Sequence, residues 1–281
     1  MRRVQWGMRY IRLVPLFLAL LLAACSHAPV RNPLAQWVPS PNHNERRATI
    51  IVVHYTEQDS VAQSLHTLRT RNSGGPVSSH YLIGRDGALY QLVADDRRAW
   101  HAGSGRWGTI SDLNSASIGI ELDNNGREPF AEAQVQALLR LLDDLCERLG
   151  IPRTHVIGHS DLAPTRKMDP GPLFPWRRLA GAGFGTWPDP AAPPPPGNFD
   201  PMQALRLLGY AIDDPAATIR AYRMRYRGDA AAALDDEDRR ILYALTLVAP
   251  GPSPQSGLEP EPEPEPAPVR DTTATGARPG R

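Results

Sequence analysis

Cysteine is nearly missing from this chain of 281 residues: it has 2, too few for a disulfide scaffold or a zinc site built on four cysteines. Excess charge of one sign is missing too. Lys+Arg is 31 against Asp+Glu 30, which leaves no overall basic footprint for nucleic acid. The apolar run Leu13 to Ala24 is well short of the roughly 20 residues that span a bilayer as a helix. Proline, by contrast, is abundant at 29, about twice its usual share. Apolar residues at 41% and charged residues at 22% are ordinary for a globular protein, so wholesale disorder is excluded.

The ends of the chain read differently from its middle. Arg2, Arg3, Arg9 and Arg12 precede the Leu13 to Ala24 run, the layout of a signal peptide. That run closes on Leu22-Ala23-Ala24-Cys25, which resembles the bacterial lipoprotein box, where the cysteine is lipidated and becomes the first mature residue. Ser26 follows rather than an inner-membrane-retaining aspartate, so the resemblance implies an outer-membrane anchor facing the periplasm. Loss of the leader removes four arginines and no acid, leaving a mildly acidic mature chain. Pro188 to Pro196 reads as a Pro/Ala linker, and Gly251 to Arg281 has too few apolar residues to fold. The expected division is leader 1–24, tether 25–44, a first folded unit 45–187, linker 188–197, a second folded unit 198–249 and a disordered tail 250–281.

In the larger unit, Thr49 to Tyr55, Ser117 to Leu122 and His155 to His159 read as strands, and Tyr81 to Val93 as a hairpin turning at Arg85-Asp86-Gly87. Helices are predicted at about 60–70 and 132–149, with another at Pro172 to Arg178. The second carries the apolar stripe Val135, Leu138, Leu139, Leu142, Leu145 and Leu149, which also takes in Cys146 as a core thiol. Strands alternating with helices predict an α/β fold with a central mixed sheet flanked by helices.

Several residue types there can do chemistry. His54 ends the first strand on the face of Ile50 and Val52; by itself it reads as a core or surface histidine more readily than as a site residue. His155 and His159 have the i, i+4 spacing of a helical zinc pair. However, Val156-Ile157-Gly158 between them favours a strand, which puts them about 13 Å apart, so at most one can serve a given metal. After His159 comes a proline-braced loop holding Asp161, Lys167 and Asp169. That loop reads either as part of an open metal site, which needs three protein ligands, or as turns and caps. Glu121 interrupts an otherwise apolar strand, which is costly unless the charge is used or paired.

Six phrases in order resemble the zinc-dependent type 2 N-acetylmuramoyl-L-alanine amidases: Val53-His54-Tyr55-Thr56, Ser79-His80-Tyr81-Leu82, Trp100-His101-Ala102-Gly103, Ser117-Ile118-Gly119-Ile120-Glu121-Leu122, Gly158-His159-Ser160-Asp161 and Lys167-Met168-Asp169-Pro170-Gly171-Pro172. That family is homologous to the peptidoglycan recognition proteins and to phage T7-type lysozyme amidase. The resemblance implies one Zn2+ per chain held by His54, His159 and Asp169, with Glu121 as the catalytic carboxylate and Lys167 as the catalytic lysine. It further implies cleavage between the lactyl group of N-acetylmuramic acid and L-alanine, in peptidoglycan or muropeptides. Trp100 and His101 are candidate substrate contacts, with Trp100 reading equally as ordinary core and His101 alternatively as a residue that orients a loop; His80 is a structural residue beside the sheet, and Asp161 a cap or a support for the ligands. The chemistry is consistent: zinc activates water and polarises a carbonyl, a carboxylate relays the proton, and a lysine stabilises the developing oxyanion.

In the smaller unit, Asp200-Pro201 and Asp214-Pro215 are helix starts and Asp235 or Asp236 begins a third helix, giving a small all-α three-helix bundle. Leu208-Gly209-Tyr210 and Tyr222-Arg-Met-Arg-Tyr226 resemble a peptidoglycan-binding module, the alternative being a structural appendage that packs on the first unit; Arg220, Arg223, Arg225 and Arg227 read either as a patch for acidic glycan peptides or as a solvated basic face. Lipobox, amidase unit and module together resemble the outer-membrane lipoprotein amidase subgroup. The rival reading is a non-catalytic peptidoglycan-binding lipoprotein. Asp169, Glu121 and Lys167 together favour the enzyme.

Overall fold

The computed structural model describes residues 31–45, 48–72 and 75–248. The leader, Cys25 and the 250–281 tail lie outside the described residues. The strands are β1 (Gln36–Trp37), β2 (His43–Glu45), β3 (Ile50–Tyr55), β4 (Arg71–Asn72), β5 (Gly75–Pro76), β6 (Tyr81–Ile83), β7 (Leu89–Gln91), β8 (Arg97–Ala99), β9 (Ser117–Leu122) and β10 (Val156–Gly158). The helices are α1 (Val61–Thr67), α2 (Leu113–Ala116), α3 (Glu132–Leu149), α4 (His159–Leu162), α5 (Trp176–Gly181), α6 (Pro201–Leu207), α7 (Pro215–Tyr226) and α8 (Asp236–Val248).

The β-branched run of β3 is buried on both faces, as a strand inside a parallel sheet must be. It lies in a six-stranded mixed sheet of order β1-β7-β6-β9-β3-β10, in which β6, β9, β3 and β10 run parallel. Alternation assigns the two faces. Ile51, Val53, Ile118, Ile120 and Leu122 meet Leu138, Leu141, Leu142 and Leu145 of α3 and Leu179 of α5. Ile50, Val52 and Ile157 meet Ala102, Leu113, Leu162 and Ala163 on the other side. Helix α3 stops at Gly150, whose φ of 65° is the left-handed stop that glycine adopts without strain. Cys146 lies in the α3 core, where burial pushes its thiol up to about 11. Leu139 and Leu149, expected in the same stripe, are only partly buried.

The three helices 200–248 begin as the sequence predicts. The Asp200 carboxylate accepts from the N–H of Met202 and Gln203, and Asp214 from Ala217, with Pro201 and Pro215 in the first turns. Leu205, Tyr210, Tyr222, Met224, Leu242 and Leu245 form their shared core.

Four expectations differ from the structure. The strand at His155–His159 is shorter: 153–155 is a 3-10 turn and His159 already opens α4, because the Asp161 carboxylate draws the Gly158 N–H into a helix start. The helix expected from Pro172 begins at Trp176, since Gly171 to Phe174 closes as a turn and Pro175 precedes the first helical residue. Part of the expected tether is sheet: β1 adds to β7, and β2 pairs with β8. The expected basic face is not a solvated one. Arg223 is buried against Asp229, Asp235 and Asp238, and Arg225 is buried against Asp161 of the first unit.

Leu138 is fully buried beneath the sheet face that points away from His54. Leu138→Ala should therefore lower unfolding free energy by about 2–5 kcal/mol in urea titration while leaving metal content per folded protein unchanged. A joint loss of both would mean that α3 shapes the site directly.

Candidate functional site

Strand register assembles the site. His54 of β3 is paired directly with Glu121 of β9, and Gly158 of β10 is paired with Val53. His159 therefore follows at the level of His54. Glu121, His54 and His159 thus come from the carboxyl ends of three adjacent parallel strands, where open α/β sheets place their ligands. Asp169 arrives from the loop beyond α4, held by a Ser160 N–H to Asp169 carbonyl bond of 2.8 Å.

Three atoms converge here. His54 Nδ1 is 2.9 Å from His159 Nδ1 and 2.9 Å from Asp169 Oδ2, and His159 Nδ1 is 3.0 Å from the same oxygen. The partners of the other ring nitrogens set the proton positions in the neutral rings. His159 Nε2 faces the Ala102 carbonyl at 2.8 Å, an acceptor only, so Nε2 donates and Nδ1 carries the lone pair. Ser117 Oγ donates to the Leu113 carbonyl and accepts from His101 Nε2. That leaves His101 Nδ1 to accept from His54 Nε2 at 3.0 Å, so His54 Nδ1 also carries a lone pair. Two imidazole lone pairs and a carboxylate oxygen therefore point at one another with no proton assigned between them. Such a donor set fits a cation, and two imidazoles with one carboxylate suit zinc chemistry.

The electrostatics agree. Burial, followed by the neighbouring His159, pushes the pKa of His54 down to about 4, which keeps the ring neutral, the form in which an imidazole can ligate a metal. Burial opposes ionisation of Asp169, yet positive charge and hydrogen bonding at the His159 and His54 rings hold its carboxyl well below the usual carboxylate range, so the carboxylate, like the facing lone pairs, calls for a proton or a cation among the three atoms. Glu121 goes the other way: burial and then the Asp169 charge push its carboxyl well above the usual range, with Lys167 opposing. Its Oε2 is shielded from solvent with no hydrogen-bond partner. A carboxyl whose charged form is disfavoured in this way holds a proton more readily than an ordinary glutamate, which suits a group that relays one.

These side chains open into a cleft of about 390 Å³ that is also lined by Trp100, His101, Lys167 and Arg166. All five residues expected to form the centre are brought together. Trp100 lines the cleft wall. His101 lines it too, but its ring backs His54, which the sequence reading of it as a substrate contact did not include. Gly119 makes that possible: a Cβ there would lie 2.5 Å from the His101 ring. The signal was present in Ser117-Ile118-Gly119, a glycine in a β-branched strand, which marks close approach by another group. Arg166, also missed, donates to the Ala102 carbonyl at 2.7 Å, the same oxygen that fixes His159. His80 is structural as expected. It accepts from the Gly119 N–H and donates to the Arg97 carbonyl, each at 2.9 Å.

A family model described as N-acetylmuramoyl-L-alanine amidase matches residues 44–172. The N-acetylmuramoyl-L-alanine amidase AmiD of Escherichia coli (strain K12) is 38% identical over 214 residues, covering 64% of this chain and 75% of AmiD. The 1,6-anhydro-N-acetylmuramyl-L-alanine amidase AmpD of Enterobacter cloacae is 33% identical over 164 residues, covering 52% of this chain and 88% of AmpD. A structure of AmiD from E. coli with anhydro-N-acetylmuramic acid-L-Ala-D-gamma-Glu-L-Lys is similar with a TM-score of 0.62 at 33% identity, covering 79% of this chain and 93% of that one. AmpDH3 from Pseudomonas aeruginosa gives a TM-score of 0.64 at 33% identity, covering 79% and 98%. Coverage of 79% is more than residues 45–187 supply, so both likenesses extend beyond the first unit.

The Gly119 approach yields a direct test. Gly119→Ala should displace the His101 ring, release the His54 tautomer and weaken divalent metal binding by about 10-fold or more, measured by competition with a chromophoric chelator. Unchanged affinity in the folded variant would remove His101 from the support of His54.

Proposed function

Because the chain belongs to the type 2 N-acetylmuramoyl-L-alanine amidase family, we propose that it hydrolyses the amide between the lactyl group of N-acetylmuramic acid and L-alanine, in peptidoglycan or muropeptides, with one zinc ion held by His54, His159 and Asp169. The observation that carries this reading is the triangle of acceptor atoms beside a carboxyl of raised pKa. Zinc bound there supplies Lewis-acid polarisation of the scissile carbonyl and acidifies the attacking water. The chain does the rest. Glu121 takes the proton as the water oxygen bonds to the carbonyl carbon, then returns it to the L-alanine nitrogen as the C–N bond breaks. Lys167 meets the negative charge that develops on the carbonyl oxygen, where a fixed cation lowers the barrier most. His101 and the Ala102 carbonyl keep the two imidazoles in their ligating tautomers. Trp100 offers an apolar wall for the sugar or peptide.

The Leu22-Ala23-Ala24-Cys25 phrase supports a lipid anchor at Cys25 and, with Ser26 next, a place on the outer membrane facing the periplasm. Among the described residues no helix is long and apolar enough to cross a membrane. Wall binding by the helical bundle rests on sequence likeness alone, and the phrases that carry it contribute Tyr210, Tyr222, Arg223 and Arg225 to buried positions.

Zinc-loaded protein incubated with muropeptides should release intact stem peptides, identified by mass spectrometry, and chelator should stop the reaction. Glu121→Gln should lower turnover by about 10²–10⁴-fold with zinc content retained; near wild-type hydrolysis would dismiss the proton-relay role. Cys25→Ser should move the protein from the membrane fraction to the soluble one on cell fractionation, and persistent membrane association would argue against lipidation.

A further inference from the structure

The helical bundle reaches into the first unit at one charged point. Arg225, on α7, is 5% exposed and Asp161, on α4, is 1% exposed. Arg225 Nη1 donates to Asp161 Oδ2 at 2.7 Å, Arg225 Nη2 donates to the Val156 carbonyl at 3.0 Å, and the guanidinium stacks 4.3 Å from the Trp176 ring centre. Tyr210, beyond the end of α6, donates its hydroxyl to Asp161 Oδ1 at 2.7 Å. Both oxygens of Asp161 are therefore held from the bundle. Arg223, two residues earlier on α7, pairs with Asp229, Asp235 and Asp238 inside the bundle, so a buried arginine on this helix does not by itself join the units.

What Asp161 does in the first unit gives this contact its meaning. Its Oδ2 also accepts the Gly158 N–H at 2.8 Å, the bond that turns β10 into α4. His159 is the first residue of that turn, and the N–H of Ser160 holds the Asp169 carbonyl. The carboxylate thus ties down the backbone of two of the three convergent residues. A buried carboxylate is stable only while its charge is paired, and removing one partner leaves the other costly. Without Arg225, the Asp161 carboxylate would turn toward water to recover a partner, and the Gly158 tie would weaken. The fork geometry also matters, because an ammonium cannot bond Asp161 and Val156 while stacking on Trp176.

We propose that the C-terminal helical bundle is a positioning element of the metal centre, with Arg225 and Tyr210 clamping Asp161 and thereby setting His159 and, through Ser160, Asp169. This inference rests on the reading of His54, His159 and Asp169 as zinc ligands. It assigns the bundle a role distinct from contact with the wall and makes Arg225 a positioning residue that touches neither metal nor substrate.

The test uses the full mature chain and zinc itself. Zinc affinity is measured by chelator competition, and the visible d–d bands of the cobalt-loaded protein report ligand geometry. Arg225→Met should weaken zinc binding about tenfold and shift the cobalt bands, with Arg225→Lys between it and wild type. Arg106→Ala, which removes an exposed pair with Asp213 between the same units, should change neither. Tyr210→Phe, which removes one hydrogen bond from a charged acceptor, should weaken zinc binding about threefold and carries the test if Arg225→Met does not fold. A lowered melting temperature with zinc affinity and cobalt bands like wild type would overturn the proposal, because the contact would then be packing only. Failure of the wild-type chain to bind zinc would instead defeat the ligand assignment beneath it.

Discussion

Three acceptor atoms held within 3.0 Å of one another are the constraint from which the rest of the site follows. Lone pairs brought that close repel unless a cation lies among them, and burial raises the cost. Each must therefore be pushed inward by something behind it. Behind His54 stands the chain His101, Ser117 and the Leu113 carbonyl. Behind His159 stands the Ala102 carbonyl, itself held by Arg166. Behind Asp169 stands the backbone of Ser160. None of these supports is close in sequence to the group it supports, save the last, so the centre is a property of the whole sheet edge.

The sheet makes this affordable by separating the two tasks onto two faces. Residues 51, 53, 118 and 120 point to α3 and supply burial, whereas 54, 119 and 121 point to the cleft. Period-two alternation allows one strand to be core and site at once. Gly119 illustrates the exchange: a side chain there would add packing but would occupy the space of the His101 ring.

Much of this was legible in the sequence, for physical reasons that differ from case to case. The span Ser117–Leu122 and the helix Glu132–Leu149 were readable because alternation and an amphipathic stripe are local signals that tertiary packing reinforces. The helix starts at Pro201 and Pro215 were readable because Asp-Pro encodes both the cap and the first turn. The extent of the strand before His159 was not, because a side-chain bond from Asp161 decides it. Strands as short as Gln36–Trp37 carry no periodicity and exist only through their partners. The fate of Arg223 and Arg225 was hidden for the same reason: two like residues on one helix differ only in what lies opposite each, Asp238 within the bundle or Asp161 across the boundary. The candidate ligand set was visible through ordered motifs, and Asp161 as a cap or support beside it, while the parts played by His101 and Arg166 were not.

The two carboxyl groups of the cleft complete the argument. Asp169 is buried and Glu121 is half-buried with its Oε2 out of contact with solvent, and burial alone would drive both toward the neutral acid. Positive charge shared with the two histidine rings against Asp169 holds its carboxyl low, the state in which a carboxylate can ligate a cation. Glu121 has the Asp169 charge nearby and no partner on Oε2, so its carboxyl moves high, with Lys167 limiting the rise. Environments that push like groups in opposite directions separate a ligand from a proton carrier. The division of roles is therefore written in the neighbours of each carboxyl rather than in the carboxyl itself, which is why the positions that orient His54, His159 and Asp169 matter as much as those three residues do.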